Sequence, residues 1–231
     1  MSAALHYDLA AVTPAMQDYL KAIYHLRDGT GLVTAQRLAE ALDISSPSVT
    51  NMVKRLHELG LARHTRYHGV ELTESGQQVA LEVIRHHRLL ELYLVDVLGF
   101  PWDEAHAEAE CLEHYVSEEM EERIDVALGH PTRDPHGNPI PSQDGAVTER
   151  RDRRLLDLEP GEGGVIARVS DRDLERLRYL GGLGLYPGVT VVVLEKMPFE
   201  GGLWLEVGDA THLLGLPLAA AVRVIGDPPA T

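Results

Sequence analysis

Apolar residues recur every three or four positions along most of the first half of the chain, which predicts amphipathic helices. The first predicted helix begins at Thr13 and Pro14, a pair that suits an N-cap and a first helical position. A second helix follows Thr34, and a third runs from Ser46 to a stop at Gly60. Two short helices joined by a tight turn, the second opening with small polar residues, are the pattern of a helix-turn-helix.

Alternating apolar and polar positions replace the helical period in two places. Directly after the third helix, two short extended pieces flank His68 and Gly69 and predict a β-hairpin wing. Near the end of the chain, VIARVS, VTVVVLEK, GLWLEVG and AAAVRVIG predict strands, with a short helix over 171–181. We therefore expect a mainly α protein with some β structure, in which the last part forms a small, partly closed β-barrel of the SH3-like kind.

The predicted helix over 104–127 carries a distinctive set of polar residues. The stretch EAHAEAECLEHYVSEEMEERIDVA contains neither proline nor glycine and predicts one long helix. Spacings of three and four residues would bring His106, Glu110, Glu113 and His114 onto one face. Two imidazoles and two carboxylates in a single stripe suit a hard or borderline metal ion. An acidic run is usually only a solvated helix face, so the stripe needs partners from elsewhere.

The long helix predicted over 76–99 offers a further pair of candidate ligands. His87 and Glu91 are four residues apart, so they lie on the same face. A single histidine on such a helix is more often a hydrogen-bonded surface or core residue, so this pair alone is weak. Two long, partly apolar helices after a helix-turn-helix suggest a dimer interface, because operators are commonly two-fold symmetric.

Charge is spread unevenly along the chain. The net charge of −15 at first argues against a nucleic-acid partner. Between residues 44 and 70, however, Lys54, Arg55, Arg63 and Arg66 face one acid, Glu58. The single cysteine excludes an internal disulfide framework and fits a reducing cytoplasm. Neither a signal peptide nor an apolar run of membrane-spanning length is visible, so we predict a cytoplasmic protein without a membrane partner.

This basic segment and the wing predict that the third helix enters the major groove of double-stranded DNA. Asn51 can offer a bidentate amide to adenine. The residues expected at base edges are Ser45, Pro47, Ser48 and Asn51. Those placed for phosphates are Lys54, Arg55, Arg63, Arg66 and His68. The alternative is an αα-hairpin with an ordinary solvated face.

Several separated segments resemble one known family, in order and over essentially the whole chain. TPAMQDYLKAIYHL, SSPSVTNMVKRL, RYHGVELTESG, RHHRLLELYL, ECLEHYVSEEMEERI and PHGNPIP are similar to the diphtheria toxin repressor and manganese transport regulator family. The strand-rich end resembles the SH3-like domain of its longer members. The resemblance implies a homodimeric transcriptional repressor that divalent metal activates and that binds a palindromic operator, without enzymatic activity or a small organic substrate.

The resemblance also implies two metal sites per subunit. The primary site would comprise Asp18, Glu110, Glu113 and His114. The ancillary site would comprise His87, Glu91 and His106 with a carboxylate of the β domain, Asp173 as first choice and Glu175 as second.

Departures from the family pattern indicate the metal. Iron-responding members carry methionine and cysteine where Asp18 and Glu110 stand, so the two carboxylates favour Mn²⁺. Fe²⁺ is the alternative, and other divalent transition metals are expected to act in vitro. Short manganese regulators carry a carboxylate where Lys21 stands, which argues against their closely spaced pair of ions.

These predictions divide the chain into four parts. A winged helix-turn-helix domain covers 1–75, a helical dimerisation and metal-binding domain 76–145, a linker 146–157, and an SH3-like (FeoA-like) β domain 158–231. Two rival functions remain. ECLEH approaches the H-x-x-E-H zinc-hydrolase pattern, but Glu110 replaces its first histidine. A winged-helix regulator that ignores metal is the second rival, and DNA binding that resists a chelator would favour it.

Overall fold

The computed structural model describes residues 12–27, 31–65, 68–148, 150–171 and 173–226. The helices in these ranges are α1 (Pro14–Leu26), α2 (Ala35–Leu42), α3 (Ser46–Glu58), α4 (Glu74–Asp96), α5 (Ala105–Leu112), α6 (Glu118–Ala127), α7 (Leu174–Gly182) and α8 (Leu216–Ala221). The strands are β1 (Ala62–Thr65), β2 (Gly69–Leu72), β3 (Arg153–Arg154), β4 (Gly163–Val169), β5 (Thr190–Met197), β6 (Gly202–Val207), β7 (Ala210–Leu214) and β8 (Val222–Ile225). No helix among the described residues is long and apolar enough to cross a membrane.

The chain divides into two compact units. The first unit comprises Met1–His87, Glu113–Val116 and Pro141–Ala146. The second unit comprises Arg88–Leu112, Ser117–Ile140 and Val147–Thr231.

The first unit contains the predicted winged helix-turn-helix. Leu20 of α1, Leu38 of α2 and Leu56 of α3 are fully buried in one shared core. Thr34 caps α2, because its side-chain oxygen accepts a hydrogen bond from the backbone N–H of Arg37 at 3.3 Å. Strands β1 and β2 pair antiparallel as the wing. The helical N-terminal part of the predicted fold is confirmed.

The acidic stretch is not one long helix, so that prediction was wrong. Helix α5 ends at Leu112, a short 3-10 turn covers Glu113–Tyr115, and α6 begins at Glu118. Ser117 caps α6 by accepting a hydrogen bond from the backbone N–H of Met120 at 3.3 Å. A serine can start a new helix without any glycine or proline before it, so the absence of those two residues does not ensure one continuous helix.

The second unit contains a six-stranded antiparallel sheet in the order β3-β8-β4-β5-β6-β7. Its core includes the fully buried Leu177 and Leu180 of α7 and Leu205 of β6. The predicted small β domain is confirmed, and its sheet ends at β3 and β7 instead of closing into a barrel.

Residues 132–140 of the second unit form a compact loop. Arg133 and Pro139 make an antiparallel bridge, and the backbone N–H of Val169 donates to the carbonyl of His136 at 2.9 Å. Gly137 has a φ of +88°, and a Cβ there would lie 2.0 Å from the Ala167 carbonyl oxygen. Only glycine allows the loop to approach β4 this closely.

Candidate metal centres

A cluster of potential metal ligands in the first unit is formed by Asp18, Glu113 and His114 and is called here the first centre. Each of the three residues offers a ligand atom within 4.8 Å of the others. His114 Nε2 lies 3.0 Å from an Asp18 carboxylate oxygen and 3.5 Å from a Glu113 oxygen. The α1 helix thus brings Asp18 to the 3-10 turn, although Asp18 and Glu113 are 95 positions apart in the sequence. Two carboxylates and an imidazole are a donor set for a divalent cation.

Glu113 is completely buried and needs compensating charge. The Lys21 Nζ atom lies 2.6 Å from one Glu113 oxygen, and His87 Nδ1 lies 2.5 Å from the other. Lys21 belongs to α1, as Asp18 does. The first centre therefore contains its own ammonium group beside the carboxylate that a metal ion would use.

The second unit contains another cluster, formed by Glu91, Asp134, His136 and Asp171 and called here the second centre. Its four ligand atoms also lie within 4.8 Å of one another. Glu91 lies on α4, Asp134 and His136 on the 132–140 loop, and Asp171 just after β4. Glu91 and His136 are 0% exposed and Asp134 is 5% exposed.

His136 presents one ring nitrogen to the second centre. Its Nε2 atom lies 2.9 Å from the Trp102 carbonyl oxygen, which can only accept, so Nε2 carries a hydrogen. The buried Nδ1 atom faces a Glu91 oxygen at 3.7 Å and has no hydrogen-bond partner. A buried ring nitrogen without a hydrogen bond, surrounded by three carboxylates, fits a bound cation.

The pKa values of the second centre reflect its crowded charges. Burial, followed by the charge of Glu91, raises the pKa of Asp134 to about 6. Burial alone would lower the pKa of His136, but Glu91, with Asp134 and Asp171, raises it to about 9. The Asn138 amide donates to Asp134 at 2.9 Å and to Asp171 at 3.0 Å. In the absence of metal, the carboxylates are thus balanced by a proton on His136 and by polar neighbours.

The second unit also contains other predicted ligands, among them His106, Glu110 and Asp173. Glu91 belongs to the second centre and also lies 2.9 Å from His106 Nδ1. His106 and Glu110 are on α5, and His106 Nε2 lies 3.8 Å from a Glu110 oxygen. Asp173 caps α7 by accepting from the Arg176 N–H at 3.1 Å, and it also pairs with the Arg176 guanidinium. The roles predicted for these residues and for His87 stay predictions.

Of the residues that the structure describes, neither Asp173 nor Glu175 falls in a group of three potential metal ligands. The β-domain carboxylate next to Glu91 is Asp171, two residues earlier. Sequence reasoning missed Asp134, His136 and Asp171. The only available signal was the D-P-H run inside the proline- and glycine-rich loop, where an acid and a histidine stand two residues apart.

The predicted DNA-reading residues are accessible. The exposed side chains include Ser45, Pro47, Ser48, Asn51, Lys54 and Arg55 on or beside α3, Arg63 on β1, and His68 in the wing. The hydroxyls of Ser45 and Ser48 lie 2.9 Å apart. Arg66 lies outside the described residues. A polar N-terminal end and basic residues at the other end of α3 match a helix that reads bases and holds phosphates.

Three domain families match successive parts of the chain. Residues 11–70 match the iron dependent repressor N-terminal DNA binding domain, residues 73–142 the iron dependent repressor metal binding and dimerisation domain, and residues 153–225 the FeoA domain. The iron-dependent repressor IdeR of Mycobacterium tuberculosis is 35% identical over 218 residues, covering 89% of this chain and 94% of the relative.

Solved structures with the same fold include repressors bound to metal. A manganese-dependent transcriptional repressor in complex with manganese superposes with a TM-score of 0.83 at 41% identity, over 91% of this chain and 99% of the other. The structure of ScaR with bound Zn²⁺ superposes with a TM-score of 0.75 at 35% identity, over 91% and 98% of the two chains.

Proposed function

Since this chain belongs to the diphtheria toxin repressor family of metal-dependent, DNA-binding repressors, we propose that Mn²⁺ activates it to bind a palindromic operator as a homodimer. The observation that carries this proposal is the first centre, whose ligand atoms come from two carboxylates and one imidazole. Oxygen-rich sites suit Mn²⁺, whereas thiolate and thioether ligands select softer ions. Fe²⁺ is the second candidate, because iron-dependent repressors are among the relatives. We propose that the protein acts in the cytoplasm and has no enzymatic activity.

The first centre explains how an ion could control DNA binding. Asp18 lies on α1, between Gln17 and Tyr19, which are buried in the first unit. The buried side chains of α1 share a core with those of α3, so a fixed α1 restricts the orientation of the recognition helix. Asp18 and Glu113 carry two carboxylates that repel each other, and a cation held by them would supply the compensating positive charge. Recognition helices must enter major grooves about 34 Å apart, so a restrained α3 favours operator binding.

We further propose that the second centre holds a second ion. Glu91, Asp134 and Asp171 would bind it through carboxylate oxygens, and His136 through Nδ1. In this proposal the β-domain carboxylate of the ancillary site is Asp171, and not Asp173 or Glu175 as predicted. Glu110 in the primary site, and His87 and His106 in the ancillary site, are retained as predicted ligands on the strength of the family resemblance alone.

An operator titration tests the role of metal. Labelled DNA selected from a random pool is titrated with the protein in Mn²⁺, in Fe²⁺ without oxygen, and in chelator. We expect at least a 100-fold loss of affinity in chelator, which corresponds to about 3 kcal/mol. Equal affinity in chelator and in Mn²⁺ would refute the proposal and favour a winged-helix regulator that ignores metal.

A ligand exchange tests the preference for Mn²⁺ over Fe²⁺. The double variant Asp18→Met, Glu110→Cys replaces two carboxylates by a thioether and a thiol, the residue types of the iron-responding members. Because softer ligands favour softer ions, we expect the ratio of Fe²⁺ to Mn²⁺ activation to rise about tenfold. An unchanged ratio would mean that these two positions do not set the preference.

Two substitutions on α3 test how operator DNA is read. Lys54→Ala should weaken binding to every sequence and reduce the salt slope by about one, because one phosphate contact is lost. Asn51→Ala should weaken binding to the selected operator by about 1–3 kcal/mol and relax its sequence preference. The same effect for both variants would contradict this division of roles.

A further inference from the structure

The His114 imidazole of the first centre has both of its nitrogen atoms next to consecutive residues of α1. Nδ1 lies 2.6 Å from the Gln17 side-chain oxygen, and Nε2 lies 3.0 Å from an Asp18 oxygen. Asp18 is a proposed metal ligand, whereas Gln17 has no place in the predicted ligand sets. We propose that Gln17 is a positioning residue that makes Nε2 the metal-binding nitrogen of His114. This proposal rests on the proposed function of the first centre.

The orientation of the Gln17 amide is fixed by its other contact. Gln17 is 4% exposed, and its Nε2 donates a hydrogen bond to the Val12 carbonyl oxygen at 3.2 Å. A backbone carbonyl oxygen can only accept, so the NH₂ group of the amide must face Val12. The reversed amide would set two oxygens against each other. Consequently the Gln17 oxygen, and not its nitrogen, faces His114.

This orientation determines which ring nitrogen of His114 carries a hydrogen. An amide oxygen can only accept, so His114 Nδ1 must donate. In the neutral ring, the lone pair is then on Nε2. Nε2 is also the nitrogen that lies next to Asp18 and, at 3.5 Å, Glu113. The contact between Val12, Gln17 and His114 therefore reserves the Nε2 lone pair of the neutral ring for an ion held by His114, Asp18 and Glu113.

At the second centre, a main-chain carbonyl determines which ring nitrogen of the histidine carries a hydrogen. There the Trp102 carbonyl oxygen accepts from His136 Nε2 and leaves Nδ1 for the cluster. A carbonyl cannot be removed by substitution, but a glutamine can. Gln17 is also neutral, so it orients the imidazole without adding a third negative charge beside Asp18 and Glu113. Hydrogen-bond partners of metal-binding histidines typically change metal affinity 10- to 100-fold when they are lost.

The test compares Mn²⁺ binding by full-length wild type, Gln17→Met and Gln17→Glu, with free Mn²⁺ measured by electron paramagnetic resonance. Methionine keeps the length of the side chain but removes the acceptor, so we expect affinity at the first centre to fall 10- to 100-fold. Glutamate restores an acceptor for Nδ1, although it loses the donor to Val12, so we expect affinity within a few-fold of wild type. Asp18→Ala in the wild-type background identifies which affinity belongs to the first centre.

Two controls separate positioning from a general structural effect. Gln77→Met removes an exposed amide of α4 that accepts from Arg27, and it should leave Mn²⁺ affinity unchanged. Binding of ¹¹³Cd²⁺ to protein with ¹⁵N-labelled histidine identifies the coordinating atom, because the metal couples to the ring nitrogen that it touches. We expect coupling to Nε2 of His114 in wild type and Gln17→Glu, and weak or mixed coupling in Gln17→Met.

The outcomes are distinguishable. Wild-type affinity with Nε2 coupling in Gln17→Met would overturn the role of Gln17 and leave the first centre intact. Equal losses in Gln17→Glu and Gln17→Met would also overturn it, because the acceptor would then be irrelevant. If Asp18→Ala changes no Mn²⁺ affinity at all, the first centre itself fails, and the role of Gln17 fails with it.

Discussion

The first centre is held together by side chains, whereas the second is held largely by the main chain. In the first, the Asp18 side chain is 39% exposed and reaches His114 from another element. In the second, Asp134 accepts hydrogen bonds from the backbone N–H groups of His136 and Asn138, both at 2.9 Å. Side chains on separate elements can part, but a tight loop keeps its own groups together. We therefore expect the first centre to respond to metal and the second to be preassembled.

The two centres also differ in how charge is balanced without metal. At the first centre, Lys21 places a permanent ammonium against the buried Glu113. At the second centre, the balancing charge is a proton on His136, with the Arg88 guanidinium 3.7 Å from an Asp134 oxygen. A proton is displaced by an incoming ion, whereas an ammonium on a side chain can only move aside. Metal binding should thus depend on pH most strongly at the second centre.

The largest expected difference between the centres is in operator binding. Asp18→Ala removes a proposed ligand in the unit that contains α3, so we expect Mn²⁺-dependent operator affinity to fall at least 100-fold, or about 3 kcal/mol. Asp171→Ala removes a proposed ligand in the other unit, and we expect a loss of less than tenfold. Operator titrations in Mn²⁺ measure both. Equal losses for the two variants would remove the functional distinction between the centres.

Asp18→Ala is a cleaner test than Glu113→Ala. Asp18 is partly exposed, so its removal should change the free energy of unfolding in chelator by less than about 0.5 kcal/mol. Removing the buried Glu113 would also remove the carboxylate that contacts Lys21 and His87, so changes in folding and in metal binding could not be separated.

Lys21→Met tests the built-in counter-charge of the first centre. In chelator, the buried Glu113 would keep His87 but lose the ammonium, so we expect a destabilisation of about 2 kcal/mol. Saturating Mn²⁺ should restore most of this loss, because the ion replaces the missing positive charge. Denaturant unfolding with and without Mn²⁺ measures the difference. Lys54→Met, on the exposed face of α3, is the matched control and should change stability little.

A loss of stability in Lys21→Met that Mn²⁺ does not restore would contradict this account. It would indicate that the side chain of Lys21 matters for packing and not for its charge.

The winged helix-turn-helix was predictable because its signals are local. The Thr34 cap, the Ser46-Pro47 start and the period of apolar positions each act within a few residues. The first centre was predictable only in part, because Glu113 and His114 were assigned to a helix that ends before them. The prediction that Asp18 joins Glu113 and His114 rests on the family resemblance and not on the period of apolar positions.

The second centre could not be read from the sequence for a physical reason. Asp134 and His136 lie in a loop, where no repeating period indicates which side chains share a face. Asp171 follows β4 and lies near them in the fold, where the backbone N–H of Val169 donates to the carbonyl of His136. Whether the sheet closes depends on pairing between strands that are distant in sequence, and no local pattern predicts that pairing.

Asn138→Ala tests how far the second centre is preassembled. The Asn138 amide donates to both Asp134 and Asp171, so its loss should separate two proposed ligands of one ion. We expect Mn²⁺ affinity at the second centre to fall about 10- to 30-fold, with the first centre unchanged. Gln143→Ala, an exposed amide substitution, is the control. An Asn138→Ala protein with wild-type affinity would mean that the loop backbone alone fixes the carboxylates.

A dependence on pH is also expected at the second centre. The pKa of His136 is about 9 in the folded protein, above its ordinary value of 6.5. The bound proton therefore stabilises the metal-free fold fully below pH 6.5, and this contribution is lost as the pH rises toward 9. An ion must displace the same proton, so Mn²⁺ affinity at this centre should rise by just under tenfold per pH unit between 7 and 8 and level off above 9.

Unfolding measured in chelator and in saturating Mn²⁺ across pH 6.5–9 checks this sign. The metal-free protein should lose stability as the pH rises, and the Mn²⁺-loaded protein should lose much less, because its His136 carries no proton at Nδ1 to give up. His136→Gln keeps a polar side chain without a titrating group, so the difference between its slope and that of wild type isolates this one residue. Identical slopes for the two proteins in chelator would show that the proton balancing the buried carboxylates is held elsewhere, and the contrast with Lys21 at the first centre would then have to be abandoned.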